Sequence, residues 1–266
     1  RGEGEPEPGL SLSLSDAAAA AGCLFLTLTG GEPLLRNDFT SIHRHALQRG
    51  LMVAVFTNGT LIDRPLARFF RDYPPYCVDI TVPGHGREAY ERVSGLPGSW
   101  ERSRKAIRLL REHGVPFRLK TVVSTLNRRE LPRIQSFARR IGAVHRLDSL
   151  ICRRLAGDAT PARYRLPPAE IVRLDRADGG KGEEFADYVC RPASVPSPRR
   201  LYRCGGGGHS FHVTAEGFLA LCALETGHLY DLRRGSFREG WEEFLPRVRS
   251  IPASPGNPCA ACGLRT

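Results

Sequence analysis

From Leu24 onward, short runs of β-branched and aliphatic residues alternate with segments whose apolar positions recur at helical spacing. LFLTLTG (24–30), MVAVFTNG (52–59), CVDITVPG (77–84) and PFRLKTVV (116–123) read as strands, and HRLDSLI (145–151) as a fifth. Between them, Phe39, Ile42, Ala46 and Leu47 mark a helix capped by Asn37 and ended by Gly50. Pro65 suits the first turn of a helix that buries Leu66, Phe69 and Phe70. Ser99 caps a third helix, which carries Ile107 and Leu110 and stops at Gly114. Leu131, Ile134, Phe137, Ala138 and Ile141 form one face of a fourth, ended by Gly142.

Strand and helix repeating roughly every 30 residues make parallel βαβ units, so the predicted class is α/β. Such a series closes into a barrel or forms a doubly wound sheet, with ligands at the carboxyl ends of the strands. Those ends read TGGEP, TNGT, TVPG and VVSTLN. The character changes over residues 154–203. RYRLPPAEIVRLDRAD predicts a turn and one helix there, and GGKGEE and RPASVPSPRR read as linker. A second module begins at Cys204. It holds FHVTAEGFLALC, a hairpin pattern turning near Glu216 and Gly217, and the helical SFREGWEEFLPRVRS. The expected organisation is therefore a core over 1–153, a connecting segment over 154–203 and a small cysteine-rich module over 204–266.

Composition narrows the function classes. The 266 residues are 41% hydrophobic and 25% charged, ordinary for a globular protein, and no apolar run reaches the roughly 18 residues of a membrane span. Residues 1–9 lack the basic and apolar regions of an intact signal peptide, which points to the cytoplasm. The net charge of +11 invites a nucleic-acid reading. Only three of the 39 basic residues are lysines, however (Lys105, Lys120, Lys181), and the arginines are scattered over every segment. No nucleic-acid or membrane partner is expected, and an acidic peptide or solvation accounts for the charge equally well.

Two motifs carry chemistry. Thr29-Gly30-Gly31-Glu32-Pro33 follows a buried strand directly, with two glycines that leave backbone groups open and an acidic group able to bind an ammonium ion. The tail places Cys204 and Cys222 either side of Gly217, in the pattern C-x12-G-x4-C, and then Cys259-Ala260-Ala261-Cys262. Thiolates so spaced suit zinc or an iron–sulfur cluster. Cys23, Cys77, Cys152 and Cys190 match no motif, and Cys23 and Cys77 read as small core residues at strand starts.

LTLTGGEPLLR, FTNGTLID and YERVSGLPGSWERSRKAIRLL, together with the tail cysteines, resemble a radical S-adenosylmethionine (radical SAM) enzyme. The tail resembles the start of a SPASM domain, the twin-cluster extension of peptide-modifying maturases. The resemblance implies a partial (β/α)6 barrel that lacks its first strand, followed by a SPASM-like module. It also implies S-adenosylmethionine bound at Gly30, Gly31, Glu32 and Pro33, with Thr57, Asn58 and Thr81 facing the same ligand. Cys204 and Cys222 would ligate one auxiliary [4Fe-4S] cluster, and Cys259 and Cys262 a second. The implied activity is modification of a ribosomally made peptide through a 5′-deoxyadenosyl radical, with flavodoxin or ferredoxin as electron donor. A small-molecule enzyme of quinone or porphyrin biosynthesis and a non-catalytic metal-binding module are the alternatives. A sulfatase-type maturase is disfavoured, because Ala223 follows Cys222 where an acidic base would stand. The signature C-x3-C-x2-C of the catalytic cluster does not occur in these residues, and only Cys23 precedes Gly30. With an incomplete tail as well, the chain reads as a fragment that is inactive by itself. The sequence offers no general base.

Overall fold

Five strands pair in parallel: β1 (Phe25–Leu28), β2 (Met52–Thr57), β3 (Cys77–Thr81), β4 (Phe117–Val122) and β5 (Val144–Asp148). They occur in the computed structural model, which describes residues 8–154, 157–177, 201–202 and 204–254. The chain divides into two units, Arg1–Leu166 and Pro167–Thr266.

In the first unit the strand order follows the chain, β1-β2-β3-β4-β5. Parallel crossovers are right-handed, so an order that never reverses places every crossover helix on one face of the sheet. That is the arrangement of a barrel rather than of a doubly wound sheet, which needs a reversal to cover its second face. The covered face is apolar. Val53, Val55, Val78, Ile80 and Leu119 form its centre. Packed on them are α2 (Phe39–Gln48), α3 (Arg64–Asp72), α5 (Ser99–Glu112) and α6 (Leu131–Arg140), through Ala46, Phe70, Leu110 and Ile134, all fully buried.

The element boundaries correct several expectations. Ahead of the first strand, where the pattern read from Leu24 onward offers no element, lies α1 (Pro8–Ala20), a helix of 13 residues. Strand β1 spans Phe25–Leu28, so Cys23 precedes it and Thr29-Gly30-Gly31 is loop. Helix α2 is capped at Asp38 rather than Asn37, and α5 at Gly98 rather than Ser99. Gly98 is left-handed there (φ 73°), a conformation that a residue with a Cβ resists, and the Ser99 hydroxyl instead pairs with that of Ser94 at 2.9 Å. YERVS belongs to an unanticipated helix, α4 (Arg87–Ser94). Its Tyr90 hydroxyl donates to the Thr81 carbonyl, which ties the helix to the end of β3.

The second unit begins with α7 (Pro168–Ala177) and contains the three-stranded antiparallel sheet β6 (His212–Val213), β7 (Phe218–Ala220) and β8 (Tyr230–Asp231). The β6–β7 turn passes through Gly217 at φ 88°, as the hairpin pattern predicts. The segment read as helical is a continuous run of Phe237–Glu239, Gly240–Phe244 and Leu245–Arg249, its middle turn wound as a π-helix. It buries Phe237, Leu245 and Val248 in a core that includes Leu219 and Leu221. The linker motifs GGKGEE and RPASVPSPRR, and Cys190, Cys259 and Cys262, lie outside the described residues. Among the described residues no helix is long and apolar enough to cross a membrane.

Two buried polar groups in the first unit make the fold testable. Asp79 on β3 is 2% exposed and accepts from Arg118 Nε at 3.0 Å and Nη2 at 2.6 Å, a bidentate pair across the β3–β4 ladder. Arg118→Met leaves that carboxylate buried without a cation and should cost about 3–5 kcal/mol in urea unfolding. The double variant Asp79→Leu/Arg118→Met should recover most of the loss. His43 is fully buried among Phe39, Phe69 and Phe70. Its Nε2 donates to the Tyr73 carbonyl at 3.0 Å, and Nδ1 has no partner. Burial holds its pKa below the ordinary 6.5. As pH falls below 6.5, the unfolded chain takes up a proton that the folded state refuses, so stability declines. Between about pH 7.5 and 5.5 the wild type should lose more stability than His43→Gln, which keeps a donor but does not titrate.

Candidate functional site

Glu32 links the first two strand ends. It caps the short 3-10 turn Pro33–Leu35, and the buried Pro33 starts that turn with a fixed φ. The Glu32 carboxylate accepts three hydrogen bonds: from Leu34 N at 3.3 Å and Thr57 Oγ1 at 2.6 Å on Oε1, and from Asn58 N at 2.8 Å on Oε2. Three neutral donors on four lone-pair directions hold the group in place and leave room for a further donor on Oε2. Beside it, Gly30 has φ 136°, open only to glycine, and a Cβ at Gly30 or Gly31 would meet nothing within 4 Å. The glycines therefore border open space, and no packing within the protein requires them to be small. A carboxylate on an open, backbone-lined ledge suits an amino-acid ammonium group.

The other predicted residues divide. Asn58 is at the ledge through its backbone, while its side chain closes a local turn by accepting from Thr60 N and Oγ1. Thr57 is 4% exposed, and its hydroxyl both donates to Glu32 and accepts from Gly59 N at 2.9 Å. Expected to face a ligand, Thr57 instead buttresses Glu32, because in the β2 alternation it sits with Val53 and Val55 on the covered face. Thr81 follows Ile80 on the opposite face, the one without crossover helices, and its ladder partner is Lys120.

That uncovered face was not anticipated. Register places Phe56, Asp79, Arg118 and Val144 in one row, Thr81, Lys120 and Arg146 in the next, and Val122 and Asp148 beyond. Strands of a parallel sheet ordinarily run apolar on both faces. The available signal was the alternation of charge with aliphatic residues in VDI, RLK and HRLD. At the same strand ends, Asn127 is 1% exposed and joins two loops, donating to Pro83 O at 2.9 Å and Val122 O at 3.0 Å. Glu130 accepts from His85 N and Gly86 N, both at 3.2 Å, and so fixes the loop after β3.

Cys23 Sγ donates to Phe25 O, and burial raises its pKa. The described residues before Gly30 thus offer no set of thiolates for a catalytic cluster. In the second unit, Cys204 is exposed and Cys222 half-buried, both as free thiols. They are drawn to one loop, since a Cβ on Gly206 would lie 3.5 Å from Cys204 Sγ and 3.0 Å from the carbonyl of Leu221, the neighbour of Cys222. Arg249 Nη1 secures this loop by donating to Cys204 O at 2.7 Å and to Gly206 O. Among the described residues no group of three or more potential ligands converges for a metal.

The sequence profile of the radical SAM superfamily matches residues 11–138. An AdoMet-dependent heme synthase of Methanosarcina barkeri is 34% identical over 45% of this chain and 34% of its own length. A PqqA peptide cyclase of Gluconobacter oxydans is 30% identical over 76% of this chain and 57% of its own. The chain thus spans between a third and rather more than half of these curated relatives. The crystal structure of Streptococcus suis SuiB bound to S-adenosylmethionine superposes with a TM-score of 0.71 at 13% identity, covering 97% of this chain and 64% of that one, a likeness of fold. Residues 11–138 with their parallel sheet are a radical SAM domain.

Proposed function

We propose that the chain is the catalytic core, with part of an auxiliary module, of a radical SAM maturase that modifies a ribosomally made peptide. Residues 1–153 would hold the cofactor, 154–203 connect, and 204–266 carry auxiliary iron–sulfur ligands. Cys204 and Cys222 would serve one cluster and Cys259 and Cys262 another, each needing further ligands. The reading rests first on Glu32: a carboxylate fixed by three donors beside the open Gly30–Gly31 ledge, at the carboxyl ends of β1 and β2. There Glu32 binds the methionine ammonium of S-adenosylmethionine, Thr57 and Asn58 N keep its oxygens aimed, and Gly30 and Gly31 admit the amino-acid backbone. When bound, S-adenosylmethionine is the source of a 5′-deoxyadenosyl radical that removes a hydrogen atom from substrate.

A peptide substrate is favoured over a porphyrin by the reach of the similarities. Identity to the heme synthase covers 45% of the chain, whereas identity to the PqqA peptide cyclase covers 76%, well past the radical SAM domain. A ferredoxin or flavodoxin would supply the electron, in the cytoplasm, where free thiols persist.

Equilibrium dialysis with labelled S-adenosylmethionine tests the site. Glu32→Gln should weaken binding by about tenfold or more, the worth of a charge-assisted hydrogen bond. Unchanged affinity in a folded Glu32→Gln protein would overturn the assignment. Having no C-x3-C-x2-C, a polypeptide of these 266 residues should bind the cofactor without cleaving it. Chromatography after anaerobic iron–sulfide reconstitution and dithionite reduction should show no 5′-deoxyadenosine above the protein-free control.

A further inference from the structure

The helical layer carries a row of arginines and aromatic rings that cofactor binding does not use. On α5, the Arg104 guanidinium lies 3.8 Å from the centroid of the Phe137 ring of α6 and 5.8 Å from that of Trp100. Arg140, at the end of α6, lies 5.7 Å from the same Phe137 ring, and Arg87 of α4 lies 5.7 Å from Trp100. Stacking on a ring occupies the face of a guanidinium and leaves its in-plane N–H fork open. Arg36, Arg118 and Arg249, the other half-buried arginines among the described residues, all donate to protein oxygens: Asp38, Asp79, and the carbonyls of Cys204 and Gly206. Half-buried Arg104 does not. Among the described residues no carboxylate pairs with it, nor with the exposed Arg108 and Arg140. The carboxylates of these elements are committed elsewhere. On α5, Glu101 pairs with Arg87 and Glu112 with Arg64, and α6 has none. Glu130, just ahead of α6, accepts from the amides of His85 and Gly86 and lies 3.7 Å from Arg133. Burial, Arg140 and Arg108 together hold the Arg104 pKa below its ordinary value, as expected of like charges without a counter-ion.

We infer that the α5–α6 surface around Arg104 is a docking site for an acidic segment of a partner polypeptide, whose carboxylates take the open forks of Arg104, Arg108 and Arg140. Arg104 and Arg108 stand four residues apart on α5, about 6 Å along its axis, and Arg140 joins them from α6. Acidic side chains one helical turn apart repeat that spacing, and a carboxylate matches each planar fork in bidentate fashion. A nucleic acid fits this surface less well. Its bases need free ring faces to stack on. Phe137 is buried, and Phe137 and Trp100 each already have two guanidiniums over them. The surface belongs to the helical layer, and Glu32 with its Gly30–Gly31 ledge takes no part in it. Partner docking and cofactor binding are therefore separate properties of the chain.

Fluorescence anisotropy on the whole chain tests the surface, with a fluorescein-labelled peptide of three Glu-Ala-Ala-Ala repeats as probe. It should bind saturably, and the matching Gln-Ala-Ala-Ala peptide should not. Arg108→Gln and Arg140→Gln, both at exposed positions, should each weaken the acidic peptide by roughly five- to tenfold. Arg104→Lys keeps the charge but loses the fork, and should weaken it by a similar factor. Arg68→Gln removes the same charge from an exposed site on α3 and should change affinity by no more than about twofold. A second readout needs no change at the surface. Trp100 and Trp241 are the only tryptophans, so Trp241→Phe leaves Trp100 as sole reporter. Unlabelled acidic peptide should alter Trp100 emission with the midpoint found by anisotropy. Absent binding, or equal binding of the two peptides, overturns the docking site. So does an Arg68→Gln loss equal to that of Arg140→Gln, which means diffuse charge, or Trp100 emission that ignores saturating peptide, which places binding elsewhere. An RNA dodecamer that binds more tightly than the acidic peptide and depends on the same arginines would overturn the assignment to a polypeptide.

Discussion

The parallel pairing of β1 with β2 is the constraint on which the candidate site depends. Their ladder runs Phe25 to Met52 through Leu28 to Val55, so the two strands finish on the same side of the sheet. Only that arrangement lets Glu32, four residues past the end of β1, reach Thr57 and Asn58 at the end of β2. An antiparallel partner would put the donors at the far end. The carboxylate in turn ties the loops after β1 and β2 together, so their relative position is fixed by its hydrogen bonds.

The same topology explains why the two faces of the sheet differ. Crossovers of one hand and a strand order without reversal send α2, α3, α5 and α6 to a single side. There, burying aliphatic side chains stabilises the fold, and Val53, Val78, Ile80 and Leu119 are fully enclosed. The other side receives no crossover helix and is released from the demand to be apolar. Charged residues occupy it, and where one is buried, as Asp79 is, a bidentate guanidinium offsets its desolvation. The Glu32 ledge and the charged face are thus two results of one winding rule, the first at the strand ends and the second along β3–β5.

Much of this was legible in the chain. The alternation of strand and helix, the glycine stops and the GGEP turn follow from local chemistry: hydrophobic period, φ preference and the missing donor of proline. Resemblance supplied the superfamily, and the match over residues 11–138 agrees with it. The misses have local physical causes. A cap depends on which residue adopts an extended or left-handed backbone, so Gly98 displaced Ser99 and Asp38 displaced Asn37. Helix α4 has few apolar positions and is held by Tyr90 reaching the Thr81 carbonyl, a contact that no periodicity announces.

The sequence by itself determined the α/β class, the strand ends at which polar residues gather and the candidate residues Gly30, Gly31, Glu32 and Asn58. Each is a property of a few consecutive residues. Only the tertiary structure decided that Thr57 supports Glu32 from the covered face, and that Asp79, Arg118, Lys120, Arg146 and Asp148 share one open surface. Those facts depend on register between strands separated by about 25 to 40 residues, the length of a crossover. Side-chain alternation assigns a residue to one of two faces, but which face stays open is set by the hand of the crossovers and the order of the strands.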